Sequence, residues 1–180
     1  AGPAARTAFN GDATGGEGGS AGSGVAADGG DGFWALHVTQ DGEGSVSGGA
    51  VGGRGGSAFG YGSQAGNGGQ ATAFASGNSR LGEKLYVNAG AIGRDGGEGS
   101  EGASGGNGAN AVLDQAVEGQ TTGSLELRQY AAGGDGGQSI GGTAGLAGNA
   151  LSRHYAYHGG EDFLGTVIAV GGRGGDGDLA

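Results

Sequence analysis

Glycine stands at positions 96, 99, 102, 105 and 108 of the stretch GGEGSEGASGGNG, every third residue without a break. Period three is the geometry of the polyproline II helix, with three residues per turn and a rise of about 3.1 Å, so the repeated residue always lies on one edge. The same phase runs through Gly136, Gly142, Gly145 and Gly148 with Ser139 substituting, and through Gly60, Gly66 and Gly69 with Ser63. Collagen shares the period but needs proline to pre-set each chain, and one proline in 180 residues excludes it. The remaining solution is a bundle of such segments side by side, with backbone N–H and C=O groups bonded between neighbours and glycine giving the clearance.

Composition sharpens the constraint. Of 180 residues 53 are glycine, while Leu, Ile, Val and Phe together number 27. By composition alone the chain would be disordered. Ordering it costs about 1–2 kcal/mol of backbone entropy per residue, so backbone hydrogen bonding rather than an oily core must carry much of the stability.

The Gly segments recur in a larger unit. GGEGG at 15, GGRGG at 52, GRDGG at 93, GGDGG at 133 and GGRGG at 171 are spaced by 37, 41, 40 and 38 residues. This predicts one repeat domain over 1–180, with units 15–51, 52–92, 93–132 and 133–170 and partial units 1–14 and 171–180. Each unit reads as a Gly-rich segment, an alternating run, a polar turn and a second alternating run. In KLYVNAGAI, Leu85, Val87, Ala89 and Ala91 share one face, the period-two signature of a half-buried strand. Turns such as DGEG, GNSRLGE, EGQTTG and HGGEDFLG suggest hairpins. The expected fold class is therefore an all-β, Gly-rich repeat: a solenoid-like stack of polyglycine II segments and short antiparallel strand pairs, without a helix.

GGEGSEGASGGNG and GGDGGQSIGGTAGLAGNA resemble the polyglycine II bundles of snow flea antifreeze proteins and of the adhesins at phage long-tail-fibre tips. The recurring GGxGG texture is also similar to Gly-rich repeat proteins of bacterial cell surfaces, including the mycobacterial PGRS type. The resemblance implies an architecture rather than an activity. The chain departs from the insect proteins in having no cysteine and in carrying strands between its Gly segments.

A formal charge of −10 argues against nucleic acid as a partner, and no apolar run reaches the roughly 20 residues of a membrane span. The chain contains no methionine, so AGPAAR reads as a processed end, most simply of a secreted, extracellular or cell-surface protein, or as a cut. No Asn-x-Ser/Thr sequon is present.

No catalytic constellation is found, and no enzyme activity or cofactor is expected. His154 and His158 lie near Glu161 and Asp162, but residues four apart on a strand are about 13 Å apart. GGRGGDGDL (171–179) follows the calcium-binding nonapeptide as far as Asp176 but puts Asp178 where an apolar residue belongs, leaving these two as calcium candidates. Asp28, Asp31, Asp41, Glu43, Asp95 and Asp135 could bind calcium between subunits. Phe33, Trp34, Tyr86, Tyr130, Tyr155 and Tyr157 fall on alternating runs, where packing is the expected role. Arg54, Arg94 and Arg173 are placed to meet carboxylates such as Asp135.

Both ends of the repeat read as incomplete units. The expected function is a structural subunit that polymerises with itself into an extracellular filament or surface matrix, head to tail, the heterologous association that does not close. Its junction would join Thr7, Ala8 and Phe9 to Gly171, Gly172, Gly174 and Gly175. An adhesin for a receptor or surface glycan and an ice-binding protein are the alternatives. The latter needs a flat Thr/Ala/Ser face, of which QATAFAS is a short piece.

Overall fold

A computed structural model describes residues 6–178. The chain winds as a series of stacked coils. The first contributes β1 (Thr7–Thr14) and β2 (Gly32–Gln40), and the second β3 (Gly44–Val51), β4 (Ala58–Phe59) and β5 (Ala71–Ser79). The third contributes β6 (Leu85–Ile92), β7 (Gly99–Ser100), β8 (Ala111–Asp114) and β9 (Val117–Gln120). The fourth holds β10 (Leu125–Ala132), β11 (Ser139–Ile140) and β12 (Ala150–Arg153), and the last β13 (Phe163–Val170) and β14 (Gly177–Asp178).

Equivalent strands stack in three parallel sheets: a long sheet β1-β3-β6-β10-β13, an opposing sheet β2-β5-β8-β12 with β9 also on β5, and a narrow corner sheet β4-β7-β11-β14. The fold is thus all-β and solenoid-like, with no helix among the described residues. Laddered side chains in successive coils stand 37 to 41 residues apart, as in Arg6–Glu43, Ser47–Asn88, Asn67–Asn107 and Asp135–Arg173.

The antiparallel pairs expected within each unit do not form. β5 and β6, consecutive in sequence, lie in different sheets and face each other across the core, while each pairs in parallel with its counterparts one coil away. Period-two alternation specifies an inward face but says nothing about which strand lies alongside. In a solenoid the crossover that parallel pairing requires is the rest of the coil.

The core between the two large sheets is thin and rich in alanine. Leu85, Val87, Ala89 and Ala91 of β6 face it, beneath Leu113, Leu127 and Val46, all buried. Trp34 turns inward over Gly11 and Gly48, where a Cβ would lie 2.8 and 2.4 Å from its ring. These two glycines make room for the single tryptophan.

Between the sheets and the corner, two rows of polyglycine II segments interlock. Gly30 donates to the Gly16 carbonyl, Gly53 to Gly30, Gly69 to Gly53 and Arg94 to Gly69. Ala109, Gly134, Gly148 and Gly172 continue the zigzag, every bond between 2.7 and 3.2 Å. A second zigzag runs from Gly19 through Ala27, Gly56, Gly66, Gly97, Gly106, Gly137 and Gly145 to Gly175. The neighbouring backbones hold the period of three, since along these rows a Cβ would fall about 2 Å from the facing carbonyl oxygen, as at Gly97 on Gly56 and Gly134 on Arg94.

Candidate functional site

The site is best built from the outermost strands of the long sheet. β13, FLGTVIAV, carries no charge and no proline, pairs with β10 alone among the described strands, and is exposed on both faces. Phe163, Leu164, Val167, Ile168 and Val170 are each 44–52% exposed. A flat, apolar strand edge of this length is a template for further strand pairing.

Backbone alternation fixes what that edge offers. Leu125 donates to the Asp162 carbonyl and Gly133 to that of Val170, so the even-numbered residues of β13 bond β10. The N–H and C=O groups of Phe163, Gly165, Val167 and Ala169 therefore point to the open side. On β1 Thr7 donates to the Glu43 carbonyl, and by the same alternation the groups of Ala8, Asn10, Asp12 and Thr14 point away from β3.

Thr7, Ala8 and Phe9 thus begin the strand at one outer edge of the long sheet, and Gly171 to Gly175 follow directly on the strand at the other. Gly172 and Gly175 donate to the carbonyls of Gly148 and Gly145, whereas a Cβ on Gly171 or Gly174 would meet no atom within 4 Å.

The inward columns at these edges carry no charge. Phe163 leads its column and its ring leans over Gly165, 3.3 Å from where a Cβ would stand. At the same positions β1 has the smaller Thr7 and then the larger Phe9. Thr7 placed on Phe163 and Phe9 on Gly165 would bring the Phe9 ring against the Phe163 ring. Val167 would meet Gly11 and Ala169 would meet Ala13.

The charged groups are arranged as ladders rather than as a reactive centre. Arg54 pairs with Glu98 at 2.7 Å, while the Arg173 N–H donates to Asp135 Oδ1 and the Asp135 N–H to Asp95 Oδ1. Arg153 clasps Asp114 through both Nε and Nη2, which holds that carboxyl below its ordinary range. Arg6 does the same to Glu43 across 2.7 Å. Asp176 and Asp178 use their carbonyls to accept from Ser139 and Gly141. Among the described residues no three His, Cys, Asp or Glu side chains converge on one point. His37 Nδ1 lies 2.6 Å from Ser76 Oγ, and His158 meets the Gly123 carbonyl at 2.8 Å. His154 lies apart from both, its ring nitrogens buried without a partner among the described residues, and burial lowers its pKa.

Aromatic placement divides. Trp34 packs on the core and Phe33 meets Phe74 with ring centroids 6.4 Å apart, while Tyr155 and Tyr157 are exposed, the last 95%. Tyr155 and Tyr157 lie outside the sheet, which β12 leaves after Arg153.

Two residues that sequence reasoning passed over hold the site's support together. Gln129 is 1% exposed and sits in the inward column of β10. Gln115, with φ of 52°, marks a bulge between β8 and β9. Gln129 Oε1 accepts from Ala116 and Val117, and its Nε2 donates to the carbonyls of Leu113 and Arg153 and to Ser152 Oγ. A glutamine on an inward alternation position was the available signal.

Fold and edges together define an all-β solenoid of mixed strand and polyglycine II coils. No family model matches the chain, and no curated protein matches it. Among solved structures, a springtail antifreeze protein from Granisotoma rainieri, described as a nine polyproline type II helical bundle whose crystal waters match the ice lattice, aligns at 18% identity and a TM-score of 0.35. The alignment covers 94% of this chain and 95% of that one.

Proposed function

We propose that the chain is a structural subunit of a self-assembling filament or surface matrix, adding coil on coil through the outer edges of its long sheet. The observation that supports this reading most directly is the match between β13 and β1: two outer edges whose free backbone groups are complementary and whose inward columns carry no charge. Such an interface is heterologous, so copies extend rather than close. The junction pairs Thr7, Ala8 and Phe9 with β13 and lays Gly171, Gly172, Gly174 and Gly175 against the Gly segment that follows β1. The extracellular setting rests on the resemblance to Gly-rich surface proteins, and no step of the assembly calls for a cofactor or catalysis.

Negative-stain electron microscopy of the full chain, with and without calcium, is expected to show filaments. Val167→Lys places a charge in the inward column at the half-exposed edge, beside Gln129 of β10. It should lower filament yield by about tenfold or more in a chain that circular dichroism shows to be still folded. A monodisperse monomer at high concentration in sedimentation, or a Val167→Lys chain that polymerises normally, would overturn the reading.

Ice binding is favoured by one specific observation. The outer face of the second Gly row carries side chains locked by the next coil: Asn67 donates its N–H to Asp28 Oδ1, Asn107 to Asn67 Oδ1, Leu146 to Asn107 Oδ1 and Asn149 to Asn110 Oδ1, at 2.6–2.9 Å. With their oxygens committed, the amide groups of Asn67, Asn107 and Asn110 present fixed donors to water. The QATAFAS face does not serve, because its alanines are buried and Phe74 projects between Thr72 and Ser76. Thermal hysteresis that disappears in Asn107→Leu would support the amide face, and its absence in the parent chain would eliminate it.

A further inference from the structure

The outward face of the long sheet carries a slot that the assembly reading does not use. Asp12, Gly49, Gly90 and Tyr130 occupy one column across β1, β3, β6 and β10. Outward residues on a strand normally cover the sheet, but two adjacent glycines leave its backbone bare. A Cβ on Gly90 would meet nothing within 4 Å. The flanking columns lie about 13 Å apart along the strands, which after side-chain bulk leaves room for a single ring.

The two walls differ in chemistry. On one side Asn88 Nδ2 donates to Ser47 Oγ at 3.1 Å, fixing the amide and leaving its carbonyl oxygen free to accept. On the other side stand Val51 and Ile92. The Asp12 carboxylate closes one end and makes no ion pair among the described residues, and the half-exposed Tyr130 ring closes the other. Four residues along the same strands, a second depression opens at Ala8 and Ser45 beside Tyr86, rimmed by the paired Arg6 and Glu43 and by Lys84 and Glu126; the Tyr86 ring is held by Arg128 with its guanidinium carbon 5.6 Å from the centroid. Arg128 in turn pairs with Glu126 at 2.6 Å, which holds its guanidinium against Tyr86.

We infer that this face binds a neutral oligosaccharide, with one pyranose ring in the Gly49–Gly90 slot and the chain running along the strands toward Tyr86. A pyranose has an apolar C–H face and a rim of hydroxyls. Val51, Ile92 and the Tyr130 ring meet the first, while Asn88, Ser47 and Asp12 meet the second; an apolar ring would leave these polar groups unpaired. Uronate and sialyl sugars are disfavoured by Asp12 in the slot and by the charge of −10. A second copy of the chain, entering through its exposed Tyr155–Tyr157 loop, would be the alternative occupant, and a slot filled that way would show no saturable sugar binding.

Isothermal titration and saturation-transfer NMR on the full chain, which tolerate either monomer or filament, would use neutral gluco-, galacto-, manno- and N-acetylglucosamine oligosaccharides, with polygalacturonate as the acidic comparator. At least one neutral series should bind saturably, with transfer to its ring C–H protons. Gly90→Val fills the slot without a clash, and Tyr130→Ala removes its end wall. Each should weaken binding by about tenfold, the loss of roughly 1.4 kcal/mol, whereas Gly19→Ala on the far side should not. No saturable binding by any neutral series, equal binding of polygalacturonate, or an unaffected Gly90→Val would each overturn the inference. Gly90 is two strands from either outer edge of the sheet, whereas Tyr130 is one strand from β13, so filament yield is expected to stay unchanged in Gly90→Val and the two readings fail separately through that variant.

Discussion

Gly106→Ala should unfold the chain at temperatures where the parent is fully folded, and Gly19→Ala should not. Gly106 sits at the middle of the second zigzag, donating to the Gly97 carbonyl at 3.0 Å and accepting from Gly137 at 2.8 Å. An added methyl would lie 1.9 Å from the Gly66 carbonyl oxygen, which is backbone and cannot rotate away. Relief requires adjacent segments to separate by more than an ångström, which breaks the hydrogen bonds on both sides and propagates along a row whose apolar side chains are alanines alone. The expected cost is about 4 kcal/mol, combining overpacking with lost buried hydrogen bonds. At Gly19 a Cβ would meet nothing within 4 Å and φ is ordinary, so alanine there should stabilise by about 0.5 kcal/mol through the unfolded chain. Thermal melts followed by circular dichroism would register shifts of opposite sign. Equal melting temperatures would show that the Gly rows are not packed at backbone contact.

How much of this was legible in the sequence depends on the kind of order. Period three along 96–108 is a statement about backbone clearance, and the Cβ geometry at Gly96, Gly99, Gly105 and Gly108 bears it out, each with a carbonyl oxygen 2.0–2.3 Å away. Gly102 keeps the phase for a different reason, since its φ of 88° makes a turn beside Tyr61. Period two in KLYVNAGAI was equally plain, because the Leu85 face is buried throughout. What alternation could not specify was the neighbour. Strands 85–92 and 125–132 have the same length and the same inward positions 40 residues apart, and matching whole runs between units would have indicated parallel stacking. The candidate slot was hidden for a related reason: Gly49 and Gly90 look like weak points within single strands, and become a floor only once the register sets them side by side.

The largest effect from a side chain is expected at Gln129. The third coil leaves the opposing sheet at Gln115, and the Ala116 and Val117 N–H groups and the Leu113 and Arg153 carbonyls face inward at the break. Without Gln129 the Ala116 and Val117 N–H groups lose their acceptor at about 1–3 kcal/mol each, whereas the Arg153 carbonyl still accepts from the Gln115 N–H. Gln129 reaches across the core from β10 and answers all four with one amide, accepting two hydrogen bonds and donating to the carbonyls. Gln129→Leu keeps the volume and adds apolar surface, so on packing alone it should stabilise. The hydrogen-bond account predicts the opposite: a loss of about 4 kcal/mol, with faster hydrogen exchange concentrated in residues 111–120 and 150–153. Gln129→Glu separates the contributions, because a carboxylate still accepts from Ala116 and Val117 but, when ionised, has no proton for Leu113 or Arg153. Its stability should fall between the other two and rise as the pH is lowered and the carboxyl gains its proton. A leucine variant as stable as the parent would mean that water enters the bulge and satisfies the backbone there, and that the core between the sheets is open at the third coil.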